Sequence, residues 1–336
     1  MGKRAMAIAL GVLAVTLACG GDGRWGAAAG DLGTVVIGKA NDTIGFSVAD
    51  VAQHEGYFER RGVHAEIVVL GNSTVANSAL TAGSVQFSMT SAPTLLLGRA
   101  KSLPLIAVAQ TVYGSPLQLV VSRRLIASAQ VTRRTPLKQR LEALQNAALA
   151  VTGPTDQGAY ALAFQAVGVT PHVHFIIFRN QAAAAAAMEN GKADAFFASP
   201  PSVFQVVANG VGEILLSGNE IPGWGDAAYN LLITTHSYVQ AHPDVVRAVA
   251  HAIGEGADFV RAHREATLVI LGRHFPGLGR QVLAQSLQAV TFAEHGRMTQ
   301  QHWDAALRIA IAEHFVPESY QVREGVDWTN AYNQEQ

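Results

Sequence analysis

The residues able to do chemistry are few and widely spaced. Asp156 stands in GPTDQG (153–158), a glycine-bracketed loop that runs into a helical stretch. A carboxylate there, in a partly closed cleft, favours a ligand with an amine or N–H donor. Ser47 precedes a helical run beginning at Val48, and Asp50 follows it at the spacing of a capping box. Both helix starts offer unpaired amides and the positive end of a dipole, a seat for a carboxylate, a sulfonate or a similar group. Ser47, and Thr155 or Asp156, also have the plainer role of capping their own helices. His172 and His174 alternate along a strand and share one face. Two ligands make an incomplete metal site, so they read as surface histidines on an edge strand, and neither metal nor cofactor is expected. The basic run of Arg123, Arg124, Arg133, Arg134, Lys138 and Arg140 has no interleaved aromatics. It reads as a solvated loop and helix face, with no nucleic-acid partner. No Ser-His-Asp, paired-carboxylate or P-loop pattern stands out, which argues against an enzyme.

The elements that must position these groups occur twice. NSTVANSALTAGSVQFSMTSAP starts at Asn72, and NQAAAAAAMENGKADAFFASPP starts 108 residues later at Asn180. Without a gap, Asn72 pairs with Asn180, Gly83 with Gly191, Ser91 with Ser199 and Pro93 with Pro201. The alanine matches carry little weight, but these four pairs fall at a helix start, a helix stop and a turn after a short strand. Each copy is preceded by a strand, a glycine-containing loop and a helix, and then by a Gly-Val turn into a β-rich run. The unit is β-α-β-α-β, present twice, which implies an α/β protein of two lobes with largely parallel sheets and a cleft between them.

In chain order, Thr34 to Lys39 is the first strand and Val48 to Arg60 the first helix. Leu103 to Val108 and Leu117 to Ser122 are strands around a GSP turn, the second of them crossing to the other lobe. Tyr229 to Thr235 is the return strand. From His242-Pro243-Asp244 the period becomes that of a helix, with breaks at Phe275-Pro276-Gly277 and Val316-Pro317. The expected division is 1–30 leader and tether, 31–120 first lobe, 121–225 second lobe, and 226–336 a return crossing with a helical part packed on the first lobe.

Composition adds limits. The 336 residues suffice for two lobes, and 24 Lys+Arg against 25 Asp+Glu leave a net charge of −1. Lys3 and Arg4 before the apolar stretch Ala5–Ala18 read as an export signal too short to span a bilayer. Cys19 is the single cysteine, so disulfides and thiol chemistry are excluded from the mature fold. Two cleavage readings stand: lipidation at Cys19 with a glycine-rich tether, although Thr16 occupies the position where a lipobox prefers Leu, or cleavage near Ala27–Ala29 releasing a soluble protein. Either places the protein in the periplasm or on the outer face of the inner membrane.

The chain resembles the periplasmic substrate-binding proteins of ABC importers in the nitrate/sulfonate/taurine and thiamine-pyrimidine-synthase-like group. The carrying segments are EGYFERRGV (55–63), ALTAGSVQF (79–87), AMENGKADAFF (187–197), AHPDVVRA (241–248) and VDWTNAYN (326–333). The resemblance implies the type II periplasmic-binding fold, a monomer that closes two lobes on a small-molecule ligand, and docking on an ABC permease. It also implies ligand-facing residues Thr43, Gly45, Phe46 and Ser47 after the first strand, and Ser88, Thr90 and Ser91 at the next cleft loop. In the second lobe it implies Thr155, Asp156 and Gln157, then Ser199 and Ser202. None of these loops holds Lys or Arg, so a compact dianion would lack a charged partner. The expected ligand is zwitterionic, neutral polar or heteroaromatic, with Phe46 or Trp224 as a stacking surface. Two alternatives stand beside it. One is an enzyme like the fungal thiamine-pyrimidine synthases, against which the export signal and the lack of later cysteines weigh. The other is a ligand-sensing subunit of a receptor.

Overall fold

The structure is a computed structural model that describes residues 30–333, without the side chains of Pro154 and Thr155. The leader, Cys19 and the Thr155 side chain lie outside the described residues.

The first lobe opens with β1 (Gly33–Lys39), α1 (Val48–His54), β2 (Val63–Val69), α2 (Ser73–Thr81), β3 (Phe87–Ser91), α3 (Ala92–Ala100) and β4 (Leu105–Tyr113). The chain then crosses to β5 (Gln118–Ser122), α4 (Arg123–Ala129), α5 (Leu137–Glu142), β6 (Ala148–Val151) and α6 (Pro154–Gln165). The second lobe continues with β7 (His174–Ile177), α7 (Gln181–Glu189), β8 (Ala195–Ala198), α8 (Ser202–Ala208) and β9 (Gly212–Ser217). After the return come β10 (Ala228–Thr235), α9 (His236–Ala241), α10 (Pro243–Ala262), α11 (Arg264–His274), α12 (Arg280–Gln288), β11 (Thr291–Phe292) and α13 (Gln300–Ala312).

Two sheets form, ordered β11-β4-β10-β3-β1-β2 and β7-β6-β8-β5-β9. In each, three parallel strands come from one repeat, and the strand beside them is antiparallel: β10 against β3, and β5 against β8. The two sheets therefore have the same plan. The repeat is reproduced in detail. Asn72 and Asn180 cap α2 and α7 from near-identical extended conformations, and each side chain accepts from the amide three residues on at 2.9 Å. Gly83 and Gly191 follow those helices in the left-handed region, φ 76° and 68°.

The helical C-terminal part lies mainly on the first lobe. Along α10, Val246, Val249, Ile253 and Ala257 are buried on one stripe facing α1 and β4, and each large side chain contributes about 1.5–3 kcal/mol. His172 and His174 are exposed, the latter on the edge strand β7. No helix among the described residues is long and apolar enough to cross a membrane.

Several local expectations are corrected. The first helix stops at His54 instead of reaching Arg60, because Gly56 takes φ 70° and turns the chain. Ser47 makes no capping bond; its hydroxyl donates to the carbonyl of Ile44 at 2.8 Å. β4 runs on to Tyr113, five residues past the expected end at Val108, because Ala109 to Val112 continue the buried pairing with β10. Within the basic run, Arg140 is buried, donating to the carbonyl of Leu215 and at 3.0 Å to Glu220. β5 and β10 each lie wholly inside one sheet, so the crossings fall before them, at 114–117 and 218–227. The two crossing segments are tied side by side: Gly114 N donates to Ala227 O at 2.8 Å and Ser115 N to Asn219 Oδ1 at 2.8 Å.

Candidate functional site

Parallel strands end on the cleft side of each sheet, so the loops that follow them face the other lobe. Between the lobes lies a cavity of about 50 Å³, room for roughly three waters. From the first lobe it is lined by Asn41, Thr43 and Phe46 after β1, Asn72, Ser73 and Thr74 at the head of α2, and Ser91 after β3. Tyr229 and Asn230 join them from the start of β10, and Leu117 from the crossing. The second lobe supplies Thr152, Gly153 and Asp156 around the head of α6, Gln181 at the head of α7, and Ser199 after β8.

Each loop is held by its own bonds. After β1, Thr43 O accepts from the amides of Phe46 and Ser47 at 3.1 and 3.0 Å. Gly45 allows this turn to press on β10, since a Cβ there would lie 2.3 Å from Asn230 Oδ1. Below the loop, buried Lys39 donates to Asp42 at 2.8 Å and to Asp50 at 2.6 Å, and His274 bonds Asp42 at 2.8 Å. Asp42, Asp50 and His274 place ligand atoms within 4.8 Å of one another. The Lys39 ammonium already lies against both carboxylates, so the cluster is an ion-paired clamp on the loop. Ser91 and Thr94 share a hydroxyl–hydroxyl bond of 2.8 Å.

Asp156 is the carboxylate of the described cavity lining. Its Oδ2 accepts from Thr152 N at 2.6 Å and Thr152 Oγ1 at 2.7 Å. Burial nonetheless raises its pKa above the ordinary carboxylate value, outweighing those bonds. No Lys or Arg occurs among the described lining residues; the positive potential comes from the N-termini of α2, α3, α6 and α7. Asn41 Oδ1 is buried without a partner, an acceptor suited to a ligand N–H.

Of the residues expected from the sequence, Thr43, Phe46, Ser91, Asp156 and Ser199 line this cavity. Ser47 and Gly45 shape the loop behind it. Ser88 and Thr90 are buried in β3 with hydroxyls that have no partner. Gln157 lies further along α6, outside the lining, and Ser202 bonds Gln181 Oε1 at 3.1 Å beside it. Trp224 lies in the crossing, stacked on Phe197 with centroids 6.2 Å apart and planes 5° apart, and borders an outer groove. Asn41, Asn72, Ser73, Thr74, Thr152, Gly153, Gln181, Tyr229 and Asn230 were not anticipated. The first copy of the repeat starts at Asn72, directly after a parallel strand, and that signal pointed to its loop.

The lobes touch across the cleft. Ile44 N donates to Pro200 O at 3.1 Å, and a Cβ on Gly71 would lie 3.5 Å from Arg179 O. Both contacts join a loop of one lobe to a loop of the other.

Comparison with known proteins agrees with this architecture. A family model described as NMT1/THI5 like matches residues 45–267, more than half of the chain. No curated protein matches the sequence. Among solved structures, a protein of Bordetella bronchiseptica is similar with a TM-score of 0.75 and 20% identity, over 89% of this chain and 95% of that one. The alkanesulfonate-binding protein SsuA from Xanthomonas axonopodis pv. citri, bound to MOPS, gives 0.69 and 16% over 85% and 94%. The periplasmic nitrate-binding protein NrtA from Synechocystis gives 0.69 and 16% over 85% and 83%. At these identities the likeness is one of fold, the two-lobed periplasmic-binding fold. The chain belongs to the NMT1/THI5-like family.

Proposed function

We propose that this member of the NMT1/THI5-like family is an extracytoplasmic solute-binding protein that captures a small polar molecule between its lobes and delivers it to an ABC permease. The observation that carries the reading is the cavity itself, lined from both lobes by hydroxyl, amide and helix-terminal groups and closed by the Ile44–Pro200 bond. At about 50 Å³ the closed cavity is well below the roughly 300 Å³ of small ligand sites, so entry requires the lobes to part. The paired crossings at 114–117 and 218–227 are the hinge. Asp156 and the unpaired Asn41 acceptor favour a ligand with N–H donors, and the surrounding helix N-termini favour an acidic group, which together describe a zwitterion or a polar heteroaromatic. The protein acts as a monomer outside the cytoplasm, anchored through a lipidated Cys19 or released by cleavage nearby.

A thermal-shift screen against sulfonates, nitrate, pyrimidines, amino acids and small aromatic acids tests this. A ligand that binds only the folded form raises the midpoint by mass action. A shift from molecules carrying both an N–H donor and an acidic group is expected. Stabilisation by nitrate or sulfate alone would refute the ligand class, and the absence of any shift across the panel would refute the capture reading.

A further inference from the structure

Glu313, just past the end of α13, reaches Gly158 of α6 in the other lobe. α13 packs on α3 and β10 of the first lobe, yet Glu313 at its C-cap rests on α6 of the second. A Cβ on Gly158 would lie 2.7 Å from Glu313 Cδ and 2.8 Å from its Cγ and Oε1. Glu313 Oε2 is buried and has no hydrogen-bond partner. Leu162 of α6 and Ile309 and Ala312 of α13 line one groove beside it.

We propose that Glu313 makes closure of the lobes proton-linked: closing presses its unpartnered carboxyl oxygen against Gly158 of the other lobe, and parting the lobes returns it to water. The charged and titratable groups around it offer no compensation. Asp156 faces it from α6 and is itself an acid, and Tyr229 faces it from β10. Tyr160, further along α6, is a buried phenol facing Asp156. On its own segment Arg308, His314 and Glu318 are exposed at the rims of the flanking grooves. Burial, and after it Asp156, holds the Glu313 carboxyl well above the ordinary carboxylate range in the closed form. In the open form Glu313 meets water and returns to that range. The closed form thus binds more protons, and closure weakens as pH rises above the ordinary glutamate value, levelling off once Glu313 is ionised in both forms.

This goes beyond the capture reading and rests on it only for the lobe motion, so its test needs no solute. Nitroxides on Val69→Cys and Ile177→Cys, exposed positions on β2 and β7 with one in each lobe, report the lobe separation by electron–electron resonance in the full chain carrying Cys19→Ser. The closed-to-open ratio should fall by up to about tenfold per pH unit above the ordinary glutamate range. Glu313→Gln, neutral and of the same shape, should flatten that profile, leaving only the smaller dependence that Asp156 contributes. A ratio that ignores pH, or an unchanged pH profile in Glu313→Gln, would each overturn the proposal, whether or not any solute binds.

Discussion

Asn72 and Asn180 allow the internal symmetry to be tested as energy. Each begins a nine-residue helix, from φ −157°, ψ 167° and φ −160°, ψ 172°, and each accepts one amide at 2.9 Å. Replacing an N-cap Asn by Ala removes that bond and leaves the amide to water, at a cost of about 1 kcal/mol within a range of roughly 0.5–2. Asn72→Ala and Asn180→Ala should therefore each destabilise by about 1 kcal/mol. The capped helices lie in different lobes, so the double variant should lose the sum to within about 0.5 kcal/mol. Binding should break the symmetry. Asn72 lines the cavity, whereas Asn180 lines a separate groove with Gly71 and Arg179. Loss of one hydrogen bond to a ligand, about 1 kcal/mol, weakens affinity roughly fivefold in Asn72→Ala alone. Urea unfolding followed by circular dichroism measures the stability terms, and calorimetry with the best ligand of the thermal-shift screen measures affinity. A stability loss below about 0.3 kcal/mol in either variant would show that the cap bonds do not hold these helices. An equal loss of affinity in both would show that the cavity has been assigned to the wrong helix end.

Other perturbations separate the parts of the site. Asp156→Ala and Ser91→Ala should each weaken ligand binding in calorimetry while leaving the far-UV circular dichroism unchanged; unaltered affinity in both would move the site elsewhere. Gly45→Ala should destabilise by about 1–3 kcal/mol in urea, because its methyl group would meet Asn230 in a packed turn; a neutral result would mean that the turn is free to shift. Acid titration of Asp42→Asn probes the clamp under the first loop. Burial alone would raise the Asp42 pKa, but the bond to His274 and the charge of Lys39 hold it below 3.8. Its contribution is present above that value and is lost as pH falls through the lower folded-state value. The variant should therefore show a shallower stability loss at acid pH, and an identical acid limb would refute the clamp.

The fold was legible because it is written in the chain twice. An Asn cap, a Gly stop and a Ser-x-Pro turn each mean something locally, and their repetition at one offset turned weak signals into two lobes. The site was legible where a strand visibly led into a polar loop, as at Thr43, Ser91 and Ser199. Tyr229 and Asn230 were missed for a physical reason: β10 is antiparallel to its neighbours, so its start, and not its end, points at the cleft. That reversal depends on pairing between distant segments. Trp224 was expected as a ligand surface from its aromatic ring, but Phe197 covers one face of it. Ser47 shows the same limit on a smaller scale, since its spacing to Asp50 fits a capping box while the turn from Thr43 brings the carbonyl of Ile44 closer.

The electrostatic balance of the cleft follows from that architecture. Because four helices start at the cavity, their dipoles supply positive potential there without a cationic side chain, and an acidic group can be bound by amides and hydroxyls that need no counter-charge. Asp156 then works against an anion-only ligand, since its buried carboxylate gains nothing from one and is stabilised by an N–H donor. Glu313 adds a second acid behind it on the closing surface. An anionic ligand would raise the cost of ionising that pair, whereas an amine near Asp156 would lower it. The fall of closure with pH should therefore continue to a higher pH with an anionic ligand bound than with a zwitterionic one. Measuring the nitroxide distances with each class present would show this as two different levelling-off points, and equal ones would mean that the ligand and the Asp156–Glu313 pair do not share one electrostatic field.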